Sequence, residues 1–182
     1  MPVSPLKSMG MLTGERLRAL LDYDPATGEF RWRQPTSHRV KVGQLAGVVS
    51  GRDGYRLIGV DGRLYAAARL VFLYMTGSLP SALVDHCDRD RTNNRWANLR
   101  LANHQQNAFN SVAHKDNEAR LKGVHRHKKT GRWRAQITVG GKKISLGLFA
   151  TRAAAHRAYL AKAQQLHGEY FNGGDNRQAQ HI

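Results

Sequence analysis

One cysteine, Cys87, stands in 182 residues. A single thiol excludes a disulfide framework and a four-cysteine zinc site, and it fits a reducing, cytoplasmic compartment. No apolar run approaches the roughly 20 residues that span a bilayer. Residues 1–11 lack the long apolar stretch of a secretory signal. Acidic residues are scarce: 13 Asp and Glu stand against 29 Lys and Arg, a formal charge of +16. That imbalance makes a polyanion the first candidate partner, because basic surface gains affinity by releasing counterions from phosphate. Hydrophobic residues, at 41%, are enough to fill a core and exclude a disordered polycation. Composition alone leaves DNA, RNA and an anionic membrane surface open.

The pattern along the chain divides in two. Thr13 caps a short helix whose Leu17, Leu20 and Leu21 share one face. Asp24 to Gly28 is a turn by its chemistry, and Phe30 to Arg33 alternates apolar and basic residues as a strand does. Short apolar runs at Leu45–Val49, Tyr55–Val60 and Leu64–Tyr65 are separated by Asp53-Gly54 and Asp61-Gly62, which predicts a small antiparallel sheet. Residues 66–75 are apolar and alanine-rich, a helix stopped by Gly77 and Pro80. Ser81 to Asn110 holds six asparagines, a polar loop or a functional loop braced by amide hydrogen bonds. Val112 to Leu121 is polar and reads as a linker. Beyond it, Lys122–His127, Arg132–Val139 and Lys142–Leu148 read as three strands, followed by a helix capped by Thr151. Residues 1–115 carry 16 basic and 9 acidic residues, net +7; residues 116–182 carry 13 and 4, net +9.

The chemistry-bearing residues begin at Asp85-His86. Alternation along a strand sends the two side chains to different places. A carboxylate can hold a hard cation, and an imidazole of pKa about 6.5 can take a proton from water near neutrality. Asp90-Arg91-Thr92-Asn93-Asn94-Arg95 follows, then Ala97-Asn98-Leu99-Arg100 and Gln105-Gln106-Asn107-Ala108-Phe109-Asn110. Asn93 and Asn94 read as turn residues. Arg91, Arg95 and Arg100, with Arg89, are candidate phosphate clamps.

That order of motifs resembles the HNH endonucleases, and more narrowly the phage- and intron-type members. Tyr65 and Arg69 to Gly77, with Pro80, resemble the helix those proteins carry ahead of the motif. The likeness covers about residues 12–112. It implies a ββα-metal (His-Me finger) nuclease domain. By position it implies His86 as the general base and Asn98 as the residue holding the His-bearing segment. Asp85 and Asn107 would then be the metal ligands, with one Mg²⁺ between them and Mn²⁺ as a substitute. An amide at the third motif position, where many members carry His, suits a hard cation. One departure is Ala68, where many relatives have His before the Arg-Leu of the helix; it leaves cleavage efficiency open.

In the last third, Gly123-Val124, Gly131-Arg132-Trp133-Arg134-Ala135-Gln136-Ile137 and Leu146-Gly147-Leu148-Phe149 resemble the ethylene-response-factor (APETALA-type) DNA-binding domain of plant regulators. In phages that domain is often fused to HNH nucleases. Periodicity reads the same segment independently. Trp133, Ala135, Ile137 and Val139 share a face that packs on the helix. Arg132, Arg134, Gln136 and Thr138 share the other, a basic and hydrogen-bonding face of the kind that enters a major groove. His125, His127, Lys129 and Lys143 extend it if the strands pair as the resemblance implies.

The expected fold is therefore α+β: a ββα-metal nuclease domain at 12–112, a linker at 113–119, and a three-stranded antiparallel sheet on one helix at 120–172. The expected function is a metal-dependent DNA endonuclease of phage homing type. It would act as a monomer on double-stranded DNA, cut one strand at a time, and have no membrane partner. The competing expectation is a DNA-binding regulator with an inactive nuclease domain.

Overall fold

Thr13 opens the first helix as expected: its hydroxyl accepts the Arg16 N–H at 3.1 Å. In this computed structural model, which describes residues 11–171 apart from 112, 114 and 115, α1 runs Gly14–Leu20. Leu21 does not continue it. It turns extended and begins β1 (Leu21–Asp24), which pairs antiparallel with β2 (Glu29–Trp32). Leu17, Leu20 and Leu21 still reach one core, all at 1% exposure or less. A second sheet takes β3 (Val48–Val49), β4 (Arg56–Val60) and β5 (Arg63–Ala66) in that order. The expected strand at Leu45–Val49 shrinks to two residues, because Gly47 turns the chain tight against the Leu57 carbonyl.

β5 runs straight into α2 (Ala67–Thr76), which ends at Gly77 with the Gly77 N–H donating to the Leu73 carbonyl at 3.0 Å. α2 buries Leu70, Val71, Phe72 and Leu73, and α1 packs on it. Phe30, Ile58 and Val60 fill the space between hairpin, sheet and helix. Ala68, where a His was expected from relatives, is buried in this core at 4%. Next come β6 (Leu83–His86), a 3₁₀ turn (Trp96–Asn98), β7 (Leu99–Ala102) and α3 (His104–Asn110). β6 and β7 form a two-stranded sheet, so regular structure occupies what composition marked as polar loop.

The chain divides at Leu101/Ala102 into two compact units. The second contains α3 together with β8 (Val124–Arg126), β9 (Trp133–Val139), β10 (Lys142–Phe149) and α4 (Arg152–His167). Ala119 is fully buried in the second core. Lys122 also ties α3 to this unit, its Nζ donating to the carbonyls of Ala108 (2.9 Å), Phe109 (2.6 Å) and Ser111 (2.8 Å).

The C-terminal sheet is antiparallel in the order β10-β9-β8 and packs on α4. Ala135 and Ile137 are buried against Ala155, Tyr159 and Ala163 of the helix, while Trp133 and Val139 are partly buried beside them. Alanines let the helix lie close to the sheet. Gly123 is closer still: with φ +71, a Cβ there would stand 2.1 Å from the Tyr159 ring.

Candidate active site

Asp85 and His86 end β6, and both are buried, at 5% and 4% exposure. The loop that follows is stitched to itself. Asp88 accepts the Asp90 N–H at 2.8 Å, and Asp90 in turn accepts the Thr92 N–H at 2.8 Å and its hydroxyl at 2.7 Å. These bonds hold the Asp90 carboxyl below its ordinary pKa, the Thr92 hydroxyl contributing most. Asn98 fastens the two ends. Its amide nitrogen donates to Asp88 Oδ1 at 2.9 Å and to the Asn93 carbonyl at 2.8 Å. Its Oδ1 accepts the Asp88 N–H at 3.1 Å, and its carbonyl accepts the Cys87 N–H at 2.9 Å.

His86 is held by a residue that sequence reasoning assigned only to a turn. Its Nε2 lies 3.1 Å from Asn94 Oδ1. The Asn94 amide nitrogen donates to the Thr92 carbonyl at 3.1 Å, which leaves the amide oxygen facing the imidazole. An amide oxygen only accepts, so His86 carries its hydrogen on Nε2, and in the neutral ring the lone pair sits on Nδ1. Asn94 is 1% exposed. Nothing in the dipeptide Asn93-Asn94 separates the half-buried residue from the fully buried one.

Asp85 faces Arg100. The guanidinium donates through Nε at 2.9 Å and Nη2 at 2.8 Å, both to Asp85 Oδ2. Arg100, expected as a phosphate clamp, is thus engaged by the carboxylate. Two of the other expected clamps also hold their own chain. Arg91 donates to the Asp53 carbonyl at 2.6 Å and lies over the Tyr55 ring at 4.9 Å; that ring is 5.9 Å from His86. Arg95 donates to the Ala26 carbonyl at 2.7 Å. Both remain exposed. Asn107 is exposed on α3, a helix opened by a capping box between Asn103 and Gln106. Burial pushes the Cys87 thiol pKa up, so it is a packing residue rather than a thiolate.

A basic concavity lies on the C-terminal sheet. His125, His127, Lys129, Arg134, Gln136 and Lys143 line it, six of the eight residues expected on this face. The register explains the grouping, with His125 opposite Arg134 and Ser145 opposite Gln136. Arg132 and Thr138 are exposed outside it. Arg126 and Lys128 also line it and were missed, although the run of nine basic residues between Arg120 and Lys143 signalled them. Burial, with Lys143 and Arg134 nearby, holds the His125 imidazole pKa below its ordinary value.

Comparison with known proteins bears on both regions. The family model for HNH endonuclease matches residues 65–109, which contain Asp85, His86, Asn98 and Asn107. An uncharacterized HNH endonuclease of Acanthamoeba polyphaga mimivirus is 31% identical over 121 residues, 66% of this chain and 62% of the relative. Protein 3.8 of Escherichia phage T7 is 32% identical over 95 residues, 52% of this chain and 78% of the relative. Residues 65–109 thus carry a segment of the HNH endonuclease family. The family model for the AP2 domain matches residues 119–169, the three-stranded sheet and α4. A solved structure of DNA binding and cleavage by the HNH homing endonuclease I-HmuI is 26% identical, covers 49% of each chain and gives a TM-score of 0.37. The chain spans less than two thirds of the length of the mimivirus relative.

The HNH match gives the metal question a frame. Among the described residues no three His, Cys, Asp or Glu side chains group together as a metal cage. The donors at the motif positions are a buried carboxylate and an amide, all oxygen. That set fits a hard divalent cation that keeps water and phosphate ligands of its own. Asp85 is already matched to a cation, Arg100, which shows that its surroundings accept positive charge.

Proposed function

We propose that this protein is a DNA endonuclease that hydrolyses a single phosphodiester at a time in double-stranded DNA, at sites selected through the AP2 sheet. One observation carries the reading. Within the HNH match, the buried Asp85–His86 pair sits on one strand end, with the His86 lone pair directed to Nδ1 by Asn94.

In this reading His86 Nδ1 takes the proton of a water molecule, and the hydroxide formed attacks the phosphorus opposite the leaving 3′ oxygen. Asn98 keeps the loop after His86 closed. Asp85 and Asn107 would hold one divalent cation, Mg²⁺ with Mn²⁺ as a substitute. When bound, such an ion supplies positive charge to the phosphate oxygens and to the leaving oxygen. Arg91, Arg95 and Arg100 supply positive charge for the backbone around the scissile bond. The basic concavity of the C-terminal sheet, with Arg132 and Thr138 at its margin, contacts the duplex major groove. One such centre cuts one strand, so a monomer nicks. A phage relative supports action inside a host cell.

Incubation of supercoiled plasmid with Mg²⁺ tests the reading. Open circles should accumulate with the wild type and not with His86→Ala, which should still bind duplex DNA. The Arg100–Asp85 pair favours one alternative, a DNA-binding regulator whose nuclease fold no longer cuts. Tight duplex binding without nicking, on plasmid and on the DNA that encodes the protein, would establish that alternative instead.

A further inference from the structure

The segment matched to the HNH family begins at residue 65, yet the loop that holds His86 leans on residues 23–28. We infer that the β1–β2 hairpin turn, Asp24 to Gly28, is a positioning element of the catalytic centre, acting on His86 through Asn94. This inference rests on the nuclease reading above and deepens it.

The contacts concentrate on three consecutive loop residues. Tyr23 Oη donates to the Asn94 carbonyl at 2.8 Å, in a buried site. The Trp96 N–H donates to the Pro25 carbonyl at 3.3 Å, and Arg95 Nε donates to the Ala26 carbonyl. Gly28, at φ +78, lets the two backbones touch: a Cβ there would stand 2.5 Å from both Arg95 N and Asn94 C. No L side chain fits that position without moving the loop.

The hairpin is stiff enough to serve. Asp24 accepts the Ala26 N–H at 2.8 Å and the Thr27 hydroxyl at 2.9 Å, and its carbonyl accepts the Gly28 N–H at 2.8 Å. Tyr23 packs against Phe30 with its ring tilted, centroids 4.8 Å apart, and meets Tyr74 at 5.7 Å. Burial pushes its phenol pKa up to about 12, so the donor hydrogen stays in place across the working pH range.

Residues 88–93 are held by their own turns and by Asn98. Residues 94–96 are bonded within the loop as well, and in addition are held from outside by the hairpin. Asn94 stands where the two meet: its backbone oxygen is fixed by Tyr23 and its side-chain oxygen faces His86 Nε2. A shift of the hairpin therefore moves the group that sets which ring nitrogen of His86 bears the hydrogen.

The test compares Tyr23→Phe, Gly28→Ala and Asn94→Ala in the full chain, by single-turnover nicking with Mg²⁺ and by duplex affinity. Tyr23→Phe, which removes one buried hydrogen bond, should lower the maximal cleavage rate about fivefold to tenfold. Asn94→Ala should lower it on the order of 100-fold, a part of what a general base contributes. The DNA concentration at half-maximal rate should stay unchanged in both.

Adding Tyr23→Phe to Asn94→Ala should cost less than a further twofold, because both act through one residue. Independent, multiplicative losses would overturn the inference. The ¹⁵N resonances of the His86 ring at pH 8 give a readout that needs no cleavage. Nε2 should carry the hydrogen in the wild type, with an increased Nδ1–H fraction in Tyr23→Phe and Gly28→Ala. A wild-type ring protonated on Nδ1, or a ring indifferent to both substitutions, would refute the positioning role. If Gly28→Ala does not fold, Tyr23→Phe decides. A wild type that never cuts DNA would sink the nuclease reading alone, since the ring nitrogens test the hairpin separately.

Discussion

Arg100 places two N–H groups on a single oxygen of Asp85, at 2.9 and 2.8 Å, with the carboxylate side chain 6% exposed and the guanidinium 17%. A buried carboxylate deprived of its cation is costly, on the order of 3 kcal/mol when one partner of such a pair is removed. Arg100→Gln should therefore lower the melting temperature in metal-free buffer. A divalent ion can supply the missing charge, so Mg²⁺ should raise the melting temperature of Arg100→Gln more than that of the wild type. Thermal denaturation with EDTA and with 10 mM-scale Mg²⁺, on the order of an ordinary assay concentration, checks this. Equal Mg²⁺ responses would remove Asp85 from the metal site.

Asn98 fills four hydrogen-bonding roles around the loop. Asn98→Ala leaves the Asp88 and Cys87 ends tied only through main chain, at a cost of about 1–3 kcal/mol for the unsatisfied partners. Hydrogen exchange should report it locally. The Asp88 amide, which donates to the Asn98 side chain, should exchange faster, while amides in α2 keep their protection. Nicking should fall with it. Uniform loss of protection through α2 would instead mean that Asn98 supports the whole fold.

Local chemistry was legible in the sequence, and its reach explains what was not. Thr13 and Thr151 cap helices where their hydroxyls predict, each accepting the N–H three residues on. Gly140-Gly141 joins β9 to β10, and the period-two pattern of Trp133, Ala135 and Ile137 names the face that meets α4. Leu21 shows the limit. Its spacing from Leu17 is helical, but pairing with Trp32 draws it into a strand. Arg100 shows a second limit: a basic residue beside a phosphate-cleaving motif reads as a clamp, and only the fold of β6 against β7 reveals Asp85 across from it. Asn94 shows a third, since the hydroxyl bonded to its buried carbonyl is that of Tyr23, 71 residues earlier.

Lys122 closes the last turn of α3, its ammonium donating to three carbonyls. The Ala108 carbonyl also accepts the Ser111 N–H at 3.2 Å, and a cation at this end meets the negative end of the helix dipole. Lys122→Met keeps the stem and removes the charge. The α3 amides should lose protection against exchange by about tenfold, from the 1–2 kcal/mol that charged bonds of this kind contribute. Because Asn107 lies on that helix, the Mg²⁺ concentration for half-maximal nicking should rise while duplex affinity is retained. An unchanged Mg²⁺ requirement with frayed α3 would detach Asn107 from metal binding.

His125 provides a pH signature for the C-terminal sheet. Burial, Lys143 and Arg134 keep its imidazole pKa below the ordinary value in the free protein. Bringing DNA phosphate to the concavity adds negative charge beside it and favours the imidazolium. Its pKa is then higher in the complex than in the free protein, so binding takes up a proton, and affinity rises as pH falls through the region of the free and bound values. The gain is up to about tenfold in affinity for each unit by which the two values differ. Fluorescence anisotropy with a duplex at pH 7.5 and 5.5, at fixed salt, should show tighter binding at the lower pH. His125→Gln should flatten the dependence and leave the salt dependence of binding nearly intact, since at pH 7.5 the wild-type ring carries no charge to release a counterion. Tighter binding at low pH that survives in His125→Gln would place the titrating group elsewhere on the face, with His127 next to be substituted.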